Sequence, residues 1–338
     1  MDISKNLIEP SLQTAENNIS NPKDNIINMG SEKVILVTFS DDRSGRKMGL
    51  YGATQDKIYN FLKNRNPSFG ITDFLFMKFH DIIGTDFYNK NRKMLDIQEP
   101  DMNGRCYKPY AILEGLKKIN YGDFLIYNDS SPELWKSIDT NEHIDSKKYN
   151  INVIKQLCKA NDGILTASVN VCMGNPVENY HRHEFYTLDR CMKIMNLEEY
   201  KYSLQHASGM IVLQKTEKSV NFIEEWLKFN LIDEAASLGY IKDDTIDKID
   251  RNFWTEEYIN KSGHRHDQSI SGLLINKMNN YLVIPPNNFY PQYNFLTFCL
   301  LNYNYEFVYS NLPKTVNIIK TVYNTTKNSW EVQIFKRV

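Results

Sequence analysis

The sequence predicts an α/β protein with a doubly wound, mainly parallel sheet flanked by helices and a β-rich C-terminal extension. Three observations predict it. Short apolar runs closed by polar residues, such as KVILVTFSDD (33–42) and DFLIYND (123–129), read as strands buried on both faces. Other stretches carry apolar residues at helical spacing. The two kinds alternate along most of the chain, the order expected of a sheet covered by helices on both faces.

The elements follow in order. Residues 1–31 are polar, rich in Asn and without a sustained period, so they read as a loosely held arm. KVILVTFSDD gives the first strand, and SGRKMGLYGATQ a Gly-bearing loop. DKIYNFLKN (56–64) places Ile58, Phe61 and Leu62 on one helical face. ITDFLFMKF (71–79) is a strand, KPYAILEGLKKI (108–119) a helix with Pro109 in its first turn, and DFLIYND the next strand. NVIKQLCKA (152–160) is a helix, GILTASV (163–169) a strand and TLDRCMKIM (187–195) a helix. GMIVLQKT (209–216) is a strand, and the amphipathic helix EKSVNFIEEWLKFNLI (217–232) buries Phe222 and Trp226 as core, as Met192 and Met195 do on the preceding helix. DQSISGLLINKM (267–278) is a helix, YLVIPP a short strand, and TVYNTTKNSWEVQIF a hairpin. One α/β domain over 32–298, with an extension over 299–338, accounts for this pattern.

Bulk properties narrow the function. Lys plus Arg number 40 and Asp plus Glu 41, so the formal net charge of −1 gives no support for a nucleic-acid or membrane-surface binder, and a charged ligand must meet a local cluster. Five scattered cysteines without a C-x-x-C pair argue against a disulfide framework and a zinc-cysteine site, and point to a reducing, cytoplasmic setting. No apolar run has the length of a transmembrane span, and MDISKNLIEP lacks a signal-peptide core.

Chemistry concentrates in two places. The first is the edge where the strands end. Asp129, with Asn128 and Ser131, breaks an apolar run where an open sheet forms its ligand crevice, although an Asx-type turn of Asn128, Asp129 and Ser130 accounts for the same stretch. Arg105 and Lys108 stand at a helix entry, where backbone N–H groups and the dipole favour an anion such as phosphate. Arg43, Arg46 and Lys47 follow the first strand and reach the same edge in a doubly wound topology. The second is a pair of H-x-H segments, HRHE (181–184) and HRHD (264–267). On extended backbone such pairs can hold zinc, which makes a zinc-dependent hydrolase the rival reading.

Taken together, GRCYKPYAILEGLKKINYGDFLIYNDSS, HRHEFYTLDRC, QHASGMIVLQKTEKSVNFIEEWLKF and HRHDQSISGLL, spread over about residues 70–285, resemble the GT-A-type glycosyltransferases of bacterial surface-polysaccharide clusters and large DNA viruses. The resemblance implies a GT-A (Rossmann-like) doubly wound mixed sheet. It implies a cytoplasmic enzyme (host cytoplasm if viral) that transfers a sugar from a UDP- or GDP-sugar to a glycan or glycoprotein acceptor, assisted by Mn or Mg. In such enzymes the strand end is the D-x-D position, whose carboxylates grip a cation on the donor diphosphate. Here Asp129 and Ser131 occupy it, with one acid replaced by a hydroxyl. The resemblance further implies Phe39, Ser40, Asp41 and Arg43 near the nucleotide, with Arg105, Lys108 and Asn128 beside it. His266, Asp267 and Gln268 would lie by the sugar undergoing transfer, and His183, Asp189 and Arg190 on the acceptor or donor-sugar side. The D-Q pair favours retention. The missing second acid leaves a non-catalytic nucleotide-sugar-binding relative as a further alternative.

Overall fold

A computed structural model of the chain describes residues 32–43, 48–63, 70–96, 105–130, 151–166, 182–203, 205–236, 264–278, 317–324 and 329–336. The arm over 1–31, the YLVIPP strand, Arg46, Lys47, Ser131 and His181 lie outside them.

Among the described residues a five-stranded sheet has the order β2-β1-β3-β5-β4, formed by β1 (Val34–Ser40), β2 (Asp73–Lys78), β3 (Phe124–Asn128), β4 (Ile164–Leu165) and β5 (Met210–Gln214). Strand β1 pairs in parallel with β2 on one side and β3 on the other, whereas β5 runs antiparallel to both β3 and β4. The sheet is therefore mixed, and the chain switches direction of winding between β1 and β3. β1 and β3 are buried throughout, as their unbroken apolar runs require.

Alternate residues of β1 send their side chains to opposite faces. On one face, helix α1 (Met48–Lys63) is tied down by Gln55. Its amide nitrogen donates to Thr38 Oγ1 at 2.7 Å and Met77 O at 3.1 Å, and its oxygen accepts from Ser40 Oγ at 3.1 Å. These buried bonds explain a departure from the sequence reading. The stretch over 48–55, expected as a loop from its glycines, is helical because tertiary bonds outweigh the cost of Gly52 in a helix. Two further helices, α2 (Phe79–Ile82) and α3 (Asp86–Leu95), also escaped the sequence reading. The signal for α3 was the Thr85 cap, whose Oγ1 accepts from Tyr88 N–H.

On the other face, helix α4 (Tyr107–Lys117) packs against β1 and β3 with Gly115 at the contact. A Cβ on Gly115 would come within 2.6 Å of Val37 Cγ2 and Leu125 Cδ1. Val37 is β-branched and cannot swing aside. Gly115→Ala should therefore lose about 1–2 kcal/mol, because overpacking outweighs the roughly 1 kcal/mol that Ala gains in a helix. A lower denaturant midpoint with an unchanged slope would register it.

Next come α5 (Ile151–Ala160) beside β5, the short α6 (His183–Tyr186) and α7 (Asp189–Met195). Helix α8 (Glu217–Asn230) opens with a capping box in which Thr216 and Ser219 exchange backbone bonds, and buries Phe222 and Trp226 against α4 and α10. After the short α9 (Asp233–Ala236), α10 (Asp267–Lys277) is buried on nearly every side. The C-terminal hairpin pairs β6 (Asn317–Asn324) with β7 (Ser329–Lys336), near the position read from the sequence, and β7 lies against α5. No helix among the described residues is long and apolar enough to cross a membrane.

Candidate functional site

The switch in winding leaves a crevice beyond the C-terminal ends of β1 and β3, where open α/β sheets bind ligands. Asp41 follows β1 and Asp129 follows β3. Because β5 runs antiparallel, its beginning lies at this same edge: Asp129 N–H donates to Gly209 O at 2.8 Å. Ser130 Oγ, donating to Phe39 O at 2.8 Å, ties the two strand ends together.

At the centre sits Lys108. Its ammonium lies 2.7 Å from Asp267 Oδ2, 3.2 Å from Asp129 Oδ1 and 3.2 Å from Ser208 Oγ. Ser208 Oγ in turn donates to Asp267 Oδ2 at 2.8 Å, and Tyr127 OH to Asp129 Oδ1 at 2.9 Å. The side chains of Lys108 and Asp267 are 4% and 1% exposed, but that of Asp129 is 33% exposed, so Asp129 is the carboxylate this triad offers to a ligand.

Burial opposes both charges, and the partners win. Desolvation works against the Asp267 carboxylate, yet Lys108 and Arg105, with the bonds from Lys108 and Ser208, hold its pKa below the usual range. Desolvation likewise opposes the Lys108 ammonium, and Asp129 and Asp267 keep its pKa above the ordinary value. Burial, reinforced by Asp129, raises the Tyr127 phenol well above its normal pKa, so it remains a donor. The neighbouring Cys106 thiol is pushed up to about 12 by burial and offers no nucleophile at neutral pH.

Backbone strain marks the same place. Among the described residues four non-glycine positions have positive φ, of which Asp162 and Asn196 are types that tolerate it. The other two, Arg105 (φ 53°) and His266 (φ 48°), immediately precede the segments carrying Lys108 and Asp267. Such conformations cost on the order of 1–3 kcal/mol and cluster at functional sites.

Lys108, Asp129 and Asp267, expected at the site from sequence, thus converge, though not as expected. Lys108 is a buried ion-pair partner, where the sequence suggests an accessible phosphate ligand at a helix entry. Asp267 is covered, and Trp226 fixes its backbone by donating Nε1–H to Asp267 O at 2.9 Å. Arg43 forks onto Asp41, with Nε 2.8 Å from Oδ1, donates to Leu95 O and lies over the Phe79 ring. That commits both charges to each other. Phe39 stacks on Tyr107 at 4.3 Å, Ser40 faces α1, and Asn128 is fully buried in β3.

A second group lies around α6 and α10. His183 Nδ1 is 2.7 Å from Thr187 Oγ1, and its ring abuts Gly272. Asp189 pairs with Lys201 at 4.0 Å, and the charge of Arg190 acts on His264. His264 accepts from Leu188 N–H on Nδ1 and donates from Nε2 to Ala235 O, while His266 Nδ1 donates to Ala236 O. Both nitrogens of His264 are therefore engaged, and the zinc reading loses that ligand. Among the described residues no three His, Cys, Asp or Glu side chains converge as a metal site.

The donor set also bears on the Mn or Mg that the resemblance implies. A hard cation needs several oxygen ligands. Asp41 is forked by Arg43, Asp267 is buried under Lys108, and both oxygens of Asp129 face the Lys108 ammonium, at 3.2 and 3.4 Å. The described residues do not fit a resident divalent cation.

Tyr127, Gln205, Ser208, Gly209 and Trp226 were not singled out as site residues from the sequence. Gly209 had a signal, a glycine opening a strand. A Cβ there would stand 2.9 Å from Asp129 Oδ2, so Gly209→Ala should displace that carboxylate and weaken ligand binding at least several-fold. Calorimetric titration, with an unchanged melting temperature for the unliganded protein, would check it.

No protein-family model, curated protein or solved structure matches this chain.

Proposed function

We propose that the chain is a nucleotide-sugar glycosyltransferase with a GT-A arrangement of its mixed sheet. One observation carries the reading. Lys108 and Asp129 from one of the stretches that carry the resemblance and Asp267 from another meet in one strained, ion-paired cluster at the switch point of the sheet.

In this reading Asp129 meets the donor. Tyr127 and Lys108 fix its carboxylate, so little reorganisation accompanies binding. The Lys108 charge is matched within the cluster, and Arg105 adds a second cation whose field offsets the carboxylates beside a departing nucleoside diphosphate. Asp267 keeps Lys108 protonated and in place. The acceptor, a glycan or glycoprotein, approaches from the open side of Asp129.

A thermal-shift panel of UDP- and GDP-sugars tests the proposal, because a ligand bound only by the native state raises the melting temperature with its affinity. One nucleotide sugar should shift the transition by several degrees where its free sugar does not. A flat response to every nucleotide sugar would sink the proposal, and stoichiometric zinc surviving dialysis would favour the hydrolase instead.

A further inference from the structure

Gln205 is fully buried, and its surroundings admit only one orientation of its amide. Nε2 faces Tyr186 O at 3.1 Å, a carbonyl that can only accept. It also faces Thr187 Oγ1 at 3.0 Å and Ser269 Oγ at 3.2 Å. Ser269 Oγ is itself directed, donating to Tyr186 O at 2.9 Å and accepting from Arg265 N–H at 3.1 Å. Turning the amide over would set two carbonyl oxygens against each other, so the Gln205 nitrogen stays on this side.

The oxygen of Gln205 consequently points the other way, and it lies 3.0 Å from Gln268 Nε2. An oxygen there can only accept, so Gln268 must present its NH₂ group to Gln205 and turn Oε1 away from it. Gln268 is the half-buried residue in the otherwise buried first turn of α10, directly after Asp267, and among the described residues its Oε1 has no protein partner.

We infer that Gln205 is a positioning residue: it locks the Gln268 amide so that a carbonyl oxygen, and not an NH₂ group, is presented at the start of α10. The inference rests on the transferase reading for its chemical consequence. The oxygen suits a ligand hydroxyl that donates, or a carbon that gains positive charge, and it disfavours an anion such as phosphate.

The orientation is measurable without activity. In protein labelled with ¹⁵N-glutamine, one side-chain amide proton of Gln268, assigned by its loss in Gln268→Met, should exchange with water at least tenfold more slowly than an exposed glutamine amide. Gln205→Met should remove that protection while leaving the backbone spectrum away from α6 and α10 unchanged. If Gln205→Met fails to fold, the wild-type exchange rate still decides: an unprotected Gln268 amide overturns the inference. With a nucleotide sugar that wild type turns over, Gln205→Met should lower kcat tenfold or more with KM for the donor changed less than twofold. Unchanged kcat overturns the positioning role. Protection of Gln268 together with no turnover of any nucleotide sugar would uphold the orientation and refute the transferase reading.

Discussion

Lys108→Met should destabilise the protein by about 3–5 kcal/mol, the usual cost of leaving a buried charge without its partner. The ammonium holds Asp267 at 2.7 Å in a site where both side chains are almost wholly covered, so its removal leaves a desolvated carboxylate supported chiefly by Ser208 and the more distant Arg105. The pH dependence gives the mechanism away. In wild type the Asp267 pKa lies below the ordinary value, so its contribution is present above the unfolded pKa and lost as pH falls through the folded one. Without Lys108, desolvation dominates and the folded pKa rises above the unfolded one. The variant should then recover part of its deficit relative to wild type as pH is lowered from 8 to 5. Adding Asp267→Leu should restore most of the lost stability, because an apolar pair can replace a buried ion pair. Denaturant titrations of the three proteins at both pH values would measure this, and a deficit that is independent of pH would count against the buried-carboxylate explanation.

Stability should fall steeply in mild acid. His206 is fully covered, with Nδ1 3.1 Å from Thr166 Oγ1, and burial lowers its pKa to about 4. Burial, with the neighbouring His266, takes His264 well below the ordinary value. Above pH 6.5 these groups are neutral in both states and add no pH dependence. As pH drops from 6.5 toward 4, the unfolded chain binds protons that the folded chain refuses. For His206 alone the loss is on the order of 3 kcal/mol across that window, and it levels off below about pH 4. His264 acts in the same direction, since its Nδ1 must release Leu188 N–H before it can take a proton. Chemical denaturation at pH 7.5, 6 and 5 would show the decline, and His206→Gln should reduce its slope by about one proton. A flat profile over this range would mean that the histidines are not held neutral.

Strands β1, β3 and β5 were legible in the sequence because burial on both faces demands unbroken apolar runs, whereas among the described residues β4 keeps only Ile164–Leu165 of the strand expected over 163–169. The helices α4, α8 and α10 were legible through spacing, Pro109 and the residues at their starts. Helix α1 was not, because what holds its first half is the buried bonding of Gln55 to two strands, which no local pattern encodes. The candidate site was half legible. Asp129 stood out as an acid where an apolar run ends and Lys108 as a cation at a helix entry, whereas Asp267 entered through the HRHD segment and the family resemblance. Their pairing could not be read, since residues 21 and 159 positions apart meet only through the strand order and the reversal of β5. The same limit hid Gln205, an ordinary polar residue until the fold surrounds it with acceptors.

The most direct measurement is release of nucleoside diphosphate from a panel of UDP- and GDP-sugars, with water as the glycosyl acceptor, by wild type and Asp129→Asn. Wild type should release diphosphate from one donor, and the variant, folded and of near-normal stability, should be slower by about 100-fold, the scale of losing a preorganised charged group. No release by wild type from any donor, or equal release by Asp129→Asn, would contradict the assignment of this crevice as a nucleotide-sugar site.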